Sequence, residues 1–242
     1  MLKIKNLVKS YGGILATDNL SFNVEAGELH ALIGPNGAGK TTLIGQISGE
    51  IKQDSGSIFF DDKEISNLPA HSRSAHGLAR SFQITNIFKD MTVLENVALA
   101  VQSQSGHSFC FWKNARIDPD LRKPALNFLK QIGLEKRADI ISGQLSHGEH
   151  RQLEIAMALA TNPKILLLDE PMAGIGAEES KRIVGILKKL KKKLTILLVE
   201  HDMDVVFTLA DKITVLVYGK VVATDLPEVI KNNAEIQAAY LG

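Results

Sequence analysis

Hydrophobic and polar residues alternate near the start of the chain, whereas later segments carry continuous apolar runs. The stretches "LKIKNLV", "NLSFNVE" and "ELHALIG" carry alternation or short β-branched runs and predict strands within residues 1–33, and "SGSIFFD" predicts a further strand. The runs "PKILLLDEP" and "LTILLVEH" are apolar throughout, which is typical of strands covered on both faces of a parallel sheet. The chain is therefore predicted to have an α/β fold with a parallel core sheet and an N-terminal antiparallel β subdomain.

Helical patterns separate these strands and dominate the middle of the chain. Helices are predicted from about Gly39 to Ser48 and from about Glu178 to Lys193, and residues 69–143 are mostly helical in pattern. Capping boxes mark two helix starts, in "TVLE" at residues 92–95 and in "SHGE" at residues 146–149. We expect one domain over residues 1–242, in which 1–69 and 160–242 form the core and about 70–160 form an inserted helical subdomain.

Composition limits the compartments in which the chain is expected to work and the partners it is expected to bind. Lys and Arg number 28 against 27 Asp and Glu, and this balance argues against a protein whose main partner is nucleic acid. The one cysteine, Cys110, cannot form an internal disulfide and fits a reducing compartment. The N-terminus lacks the apolar core of a signal peptide, and the apolar runs are too short to span a bilayer. We expect a cytoplasmic protein that would act at a membrane only by binding a membrane partner.

A glycine-rich loop carries the first candidate chemistry. "GPNGAGKT" matches the P-loop pattern G-x-x-x-x-G-K-S/T, with a predicted strand before it and a predicted helix after it. In that arrangement, backbone N–H groups and the helix N-terminus wrap a phosphate chain, Lys40 reaches the β- and γ-phosphates, and the Thr41 hydroxyl binds Mg²⁺. A glycine-rich turn without a ligand is the alternative. The candidate nucleotide contacts are Gly34, Pro35, Asn36, Gly37, Ala38, Gly39, Lys40, Thr41 and Thr42.

Two carboxylates end the apolar strand "ILLLDE" and can complete a nucleotide site. Asp169 is a candidate Mg²⁺ ligand, direct or through water, and Glu170 a candidate general base for a water in line with the γ-phosphate. The nucleotide is predicted to be ATP, because no guanine-reading N-K-x-D stretch is present. Tyr11 has a flat ring that suits adenine stacking, although such a tyrosine alone is more often a core or surface residue.

The order of these motifs resembles that of the ATP-binding subunits of ABC transporters, over nearly the whole chain. "GPNGAGKTT" is similar to the family's Walker A motif, "RSFQITNIF" to its Q-loop, "LSHGE" to its signature, "ILLLDE" to its Walker B motif and "LLVEHD" to its H-loop. A P-loop alone is common to many NTPases. A signature just upstream of Walker B, with a histidine at the end of the next strand, is much more specific to ABC ATPases.

The resemblance implies a P-loop ABC ATPase that works as a head-to-tail dimer with a second ABC ATPase subunit, identical or homologous. ATP would lie between the P-loop of one subunit and the signature of the other, which starts a helix whose free N–H groups favour an anion. His201 would contact the γ-phosphate or the attacking water, and Gln83 would touch Mg²⁺ and water. A structural histidine and an ordinary strand-end amide are the alternatives. The implied signature contacts are Ser146, His147, Gly148 and Glu149.

A finer resemblance is to subunits that energise uptake of branched-chain and other hydrophobic amino acids. It covers the Q-loop region, the run "LSHGEHRQLEIAMALATNPKILLLDEPMAGIG" and the C-terminal "VEHDMDVVFTLADKITVLVYGKVVATDLPEVI". It implies membrane permease partners, an external solute-binding protein that acts indirectly, and a location on the inner face of the cell membrane. A permease groove is expected near "ITNIFKDMTVLENV", where Phe88 and Met91 are apolar.

Two positions depart from the general ABC pattern. His147 stands where the pattern has Gly, and its side chain either points to solvent, which we favour, or hydrogen-bonds nucleotide. In the D-loop, Gly176 replaces a common Asp and Ala173 a common Ser, so backbone groups would have to replace that carboxylate in linking the two ATP sites.

Other functions stay open at this point. Within the same fold, one alternative is an ATPase that drives lipid or lipopolysaccharide export, because such ATPases share the "LEIA" and "AG" features near Walker B. Another alternative is an ATPase that drives urea or amide import. A soluble ABC ATPase acting on DNA or ribosomes would usually need a second cassette or a long coiled-coil insertion. A small-molecule kinase would leave the signature unexplained.

Overall fold

The computed structural model describes residues 1–81, 87–104, 117–234 and 236. Two β-sheets and a helical block make up this part of the chain. The first sheet is antiparallel and has the strand order β2-β1-β4-β5. Its strands are β1 (Leu2–Tyr11), β2 (Ile14–Val24), β4 (Ser55–Phe60) and β5 (Lys63–Glu64).

The second sheet has the strand order β10-β9-β3-β8-β7-β6, with β10 antiparallel to β9 and the other five strands parallel. Its central strands β3, β7 and β8 are buried at every position, as expected for apolar strands covered on both faces. The strands are β3 (Leu29–Ile33), β6 (Leu78–Arg80), β7 (Ile165–Asp169), β8 (Thr195–Val199), β9 (Lys212–Val217) and β10 (Lys220–Asp225).

Helices surround the second sheet. The helices within the described residues are α1 (Lys40–Ser48), α2 (Ala70–Ala75), α3 (Val93–Gln104), α4 (Pro119–Ile132), α5 (His147–Ala160), α6 (Ala177–Leu190), α7 (Met203–Leu209) and α8 (Pro227–Asn232). Short 3₁₀ turns at Glu135–Arg137 and Ser142–Gln144 lead from α4 to α5.

The parallel sheet separates two large apolar cores. On one side α1 packs between the two sheets, where Leu43 and Ile47 meet Leu2 of the antiparallel sheet and Leu167 of the parallel sheet. On the other side α3, α4, α5 and α6 share a core with the opposite face of the parallel sheet. A smaller cluster joins β3 and β9 to α7 and α8. This layering places the carboxyl ends of the parallel strands next to the start of α1.

The predicted fold class is confirmed, and the element bounds differ in places. α1 begins at Lys40, α6 covers Ala177–Leu190, and Gly219 lies in the turn between β9 and β10 with φ 78°. The short strand β6 was not predicted, because three residues inside a mostly helical pattern carry too little periodicity. α5 is buried on several sides, at Leu153, Ile155 and Leu159, while Met157 is half-buried. No helix in the described ranges is long and apolar enough to cross a membrane.

Candidate nucleotide site

The loop between β3 and α1 forms an open cradle. Gly39 is the N-cap of α1 in the left-handed conformation, with φ 98°, and a Cβ there would collide with the Ala16 carbonyl. The cap makes no side-chain hydrogen bond, and the first turn of α1 carries no acidic residue. Its N–H groups are thus available to an anion, as the P-loop prediction requires. Asn36, Gly37 and Thr41 lie on the exposed side of this loop.

Lys40 is folded back onto the cradle. Its Nζ donates to the Gly34 carbonyl at 2.6 Å and to the Pro35 carbonyl at 3.0 Å. Burial lowers the pKa of Lys40, and the nearby charges of Glu170 and Asp169 oppose this shift. A buried ammonium held only by neutral carbonyls gains a stronger, charge-assisted partner when a phosphate arrives.

Asp169 ends β7 at the bottom of the cradle. Its Oδ2 accepts a hydrogen bond from Arg80 Nη2 at 3.1 Å, while Oδ1 is buried and has no hydrogen-bond partner within the described chain. Burial raises the pKa of Asp169, and Arg80 opposes that shift. A buried, unpartnered carboxylate oxygen fits a site for a cation or its bound water.

Glu170 follows directly and has an unusual backbone. Its φ is 47°, in the left-handed region that non-glycine residues seldom adopt. Two hydrogen bonds hold this turn: the Glu170 N–H donates to the Val199 carbonyl at 2.9 Å, and the Ala173 N–H donates to the Glu170 carbonyl at 3.0 Å. The Glu170 side chain is 25% exposed, and backbone strain of this kind is typical of functional sites.

His201 lies beside Glu170 at the end of the next strand. The His201 Nδ1 is 4.0 Å from Glu170 Oε1 and 3.9 Å from Glu200 Oε2, and the ring is 59% exposed. Because β7 and β8 are parallel neighbours, the residues after their carboxyl ends meet at one edge of the sheet. The structure thus brings together Lys40, Asp169, Glu170 and His201, as predicted.

The start of α5 carries the predicted signature residues. Ser146 is the N-cap, and both bonds of the predicted capping box are present: Glu149 N–H to Ser146 Oγ at 3.2 Å and Ser146 N–H to Glu149 Oε2 at 2.9 Å. Ser146 and Glu149 are also held by Glu179 and Arg137, outside the cradle. His147 is exposed, as its solvent-facing interpretation requires. The prediction of free N–H groups here was wrong for Ser146, whose N–H donates to Glu149 Oε2 at 2.9 Å, and the Glu179 carboxylate packs against Gly148.

Comparison with known proteins connects these features. Residues 17–173 match the family model for the ABC transporter, from β2 to the loop after Walker B. The chain belongs to the ABC transporter family. As an ABC ATPase it binds and hydrolyses nucleotide.

Individual members of the ABC family match the chain over its full length. The high-affinity branched-chain amino acid transport ATP-binding protein BraF of Pseudomonas aeruginosa is 35% identical, covering 100% of this chain and 98% of the relative. The lipopolysaccharide export system ATP-binding protein LptB of Haemophilus influenzae is 33% identical, covering 100% and 97%. The solved structure of an ABC transporter cassette in its ADP conformation is 32% identical with a TM-score of 0.87, covering 100% and 98%.

The ABC site contains charged residues that sequence reasoning missed. Arg80 also donates to Glu50 at 2.7 Å and to Ser48 Oγ at 3.2 Å, so it joins the end of α1 to Walker B. Glu200 is fully buried and accepts from the Met172 N–H at 2.9 Å and the His201 N–H at 3.2 Å. Burial raises the pKa of Glu200, and these two N–H bonds oppose the shift. A carboxylate directly before His201, at the end of an apolar strand, was the signal in the sequence.

Two further predicted residues are Tyr11 and Gln83. Tyr11 ends β1 and is 50% exposed, with Lys9 Nζ 5.5 Å from its ring centroid. It pairs with Ile14 at the hairpin that leads to Ala16, which contacts the P-loop at Gly39. Tyr11 is therefore solvent-accessible, on the hairpin whose second strand contacts the P-loop. Gln83 lies outside the described residues.

Proposed function

We propose that the chain energises the import of branched-chain or other hydrophobic amino acids. The similarity to BraF over 100% of this chain and 98% of the relative supports this substrate class. The observation that carries the role of the site is the buried Lys40 ammonium, which rests on two carbonyls beside the paired carboxylates Asp169 and Glu170. Lipopolysaccharide export is the second candidate, because LptB is nearly as similar.

The cradle binds ATP by its phosphates. Backbone N–H groups within residues 36–42 surround the phosphate chain, and Lys40 exchanges its carbonyl partners for phosphate oxygens. Tyr11 stacks on the adenine ring. Mg²⁺, when bound, neutralises charge that develops on the phosphates; the Thr41 hydroxyl, the free Oδ1 of Asp169 and the amide of Gln83 are the groups that hold it.

Hydrolysis uses the edge formed by β7 and β8. Glu170 accepts a proton from water as the water attacks the γ-phosphate, and His201 contacts the γ-phosphate or that water. The left-handed backbone of Glu170 and its two hydrogen bonds fix the carboxylate in place. Glu200 is a positioning residue, because it holds both the His201 N–H and the Met172 N–H after Walker B.

The full site needs a second ABC ATPase subunit. The Ser146 hydroxyl and the Gly148 amide, at the start of α5, bind the γ-phosphate of ATP held in the partner's cradle. Glu149 holds the Ser146 N–H and thereby fixes this helix start. His147 faces solvent beside the phosphate. ATP therefore closes the dimer, and hydrolysis opens it.

The permease contact lies at the start of the helical block. Phe88 is 56% exposed although its backbone is rigidly held. The buried Asn96 accepts from the Phe88 N–H at 2.8 Å and donates to the Phe88 carbonyl at 3.1 Å, and Ser142 Oγ also donates to that carbonyl at 2.9 Å. A fixed, exposed aromatic ring is a typical anchor for a partner. Met91, half-buried on the same turn, extends this apolar contact.

A cavity of about 290 Å³ opens between the core and the helical block, close to the end of α1. Its lining includes Ser81, Arg80, Glu154 and Met157. Arg80 places one wall of this cavity in direct contact with Walker B. A permease helix seated near Phe88 and this cavity transmits closure of the ATPase dimer to the membrane. The chain then works at the inner face of the cell membrane, and an external binding protein supplies the solute without touching it.

Reconstituted transport tests this function. The chain is combined with permeases and a solute-binding protein of a branched-chain amino acid importer and placed in proteoliposomes. ATP-dependent uptake of leucine that exceeds uptake with Glu170→Gln chains supports amino acid import. ATPase activity stimulated by lipopolysaccharide, with no amino acid uptake, would support the export alternative instead.

A further inference from the structure

Glu179, in the first turn of α6, contacts the signature of its own chain. Its Oε1 accepts a hydrogen bond from Ser146 Oγ at 2.8 Å, across 33 residues of sequence. The same carboxylate lies against Gly148, where an added Cβ would be 2.6 Å from Glu179 Oε1. The absence of a side chain at Gly148 therefore lets the carboxylate approach the start of α5 closely.

The proposed function assigns both of these positions, Ser146 and Gly148, to a phosphate. At the start of a 14-residue helix, a carboxylate of the same chain accepts from the Ser146 hydroxyl and packs against Gly148, so it occupies the place of that anion. The hydrogen bond from Ser146 is the main reason that the pKa of Glu179 lies below its ordinary value. The carboxylate is thus ionised at neutral pH, and a phosphate oxygen cannot share its place.

We propose that Glu179 is an autoinhibitory latch, which fills the γ-phosphate site of the signature until ATP on a partner subunit displaces it. The inference rests on the proposed function, since it requires the signature to bind a partner's nucleotide. The displacement is small. Glu179 has a flexible, half-exposed side chain, and its other oxygen, Oε2, already accepts from the Gly176 N–H at 3.4 Å. It can leave Ser146 and remain on the N-cap of α6.

The latch also connects the signature to the catalytic loop of the same subunit. Residues 171–176 join Glu170 directly to the start of α6, where Glu179 lies. When Glu179 moves, it moves toward Gly176, the D-loop position at which many ABC ATPases have Asp. Glu179, three residues after Gly176, thus supplies next to this D-loop a carboxylate that contacts the signature.

The test compares Glu179→Ala and Glu179→Gln with Glu178→Ala, all in full-length chains that carry Glu170→Gln to block hydrolysis. Glu178 is an exposed acid in the same helical turn, so its removal changes the same net charge. Dimer formation is followed by sedimentation over a series of Mg-ATP concentrations, and thermal unfolding confirms that each variant is folded.

Both Glu179 variants are expected to dimerise at an ATP concentration about fivefold to twentyfold lower than the parent, because each of two interfaces loses a competing charged hydrogen bond. Glu178→Ala should shift that concentration by less than about twofold. Folded Glu179 variants that dimerise no more readily than Glu178→Ala would overturn the latch and leave the proposed dimer intact. A parent chain that stays monomeric at saturating ATP would overturn the proposed dimer and the latch together.

Discussion

The P-loop and the signature both present the start of an α-helix, but the chain treats these two starts differently. α1 has a glycine N-cap without a side-chain bond and no acid in its first turn. α5 has a serine N-cap, a capping box in which Glu149 accepts from the Ser146 N–H, and a second carboxylate, Glu179, which accepts from the Ser146 hydroxyl. A helix start that is left uncapped binds an anion at once, whereas a capped start binds one only after a carboxylate leaves.

The two helix starts also differ in the charge of the side chain beside them. Near α1 the mobile group is a cation, Lys40, which rests on neutral carbonyls. Near α5 the mobile group is an anion, Glu179. Nucleotide affinity of a single chain should therefore come from the P-loop, and the signature should contribute only when a second subunit brings a phosphate. Substitutions at the two places should separate binding from dimerisation.

The largest expected effect is on ATP turnover, and it comes from Glu170 beside the P-loop. Glu170→Gln should lower ATP turnover by about 10²–10⁴, because the amide cannot accept the proton of the attacking water. ATP affinity should stay near the parent value, as measured by fluorescence titration. Glu178→Gln is the control for loss of one negative charge. Near-normal turnover in Glu170→Gln would remove Glu170 from the role of general base.

The second effect is on nucleotide binding. Lys40→Ala should weaken ATP binding by about two orders of magnitude or more, since the cradle loses its charge-assisted partner for the phosphates. Equilibrium binding of a fluorescent ATP analogue measures this loss. Lys192→Ala, at an exposed position after α6, serves as the control and should bind normally. Unchanged affinity in Lys40→Ala would contradict the assignment of the cradle.

The smallest effect is expected at the signature position that departs from the family pattern. His147→Gly should change the ATPase rate less than about tenfold, because the ring is exposed and the helix start is fixed by its neighbours Ser146 and Glu149. Steady-state ATPase assays at saturating ATP measure the change. A larger loss, in a variant that unfolds at the parent's temperature, would mean that the imidazole takes part in the reaction.

Sequence reasoning succeeded where one stretch of chain contains the whole signal. The apolar strands, both capping boxes and the P-loop are of this kind, and so is the placement of Asp169 and Glu170 at a strand end next to the cradle. It failed where the signal is a contact between distant residues. A Glu at the third position of a helix predicts capping of that helix, so nothing in "GAEE" indicated that Glu179 would reach Ser146.

Arg80 shows the same limit. Its partner Asp169 is 89 residues away, and the pairing depends on the parallel neighbours β6 and β7. The strand β6 has only three residues, so the sequence pattern did not predict it. Buried charges of this type are determined by the sheet order, which local periodicity does not contain.

The most direct test of the two-part site is sedimentation of Ser146→Asp in the Glu170→Gln chain with saturating Mg-ATP. Aspartate is a good N-cap, so the helix start is retained, but its charge repels a partner's phosphate. We predict that Glu170→Gln sediments as a dimer and that the double variant stays monomeric while binding ATP within about threefold of the parent affinity. A double variant that dimerises as readily as its parent would contradict a γ-phosphate site at the signature, and one that no longer binds ATP as a monomer would contradict a self-sufficient P-loop.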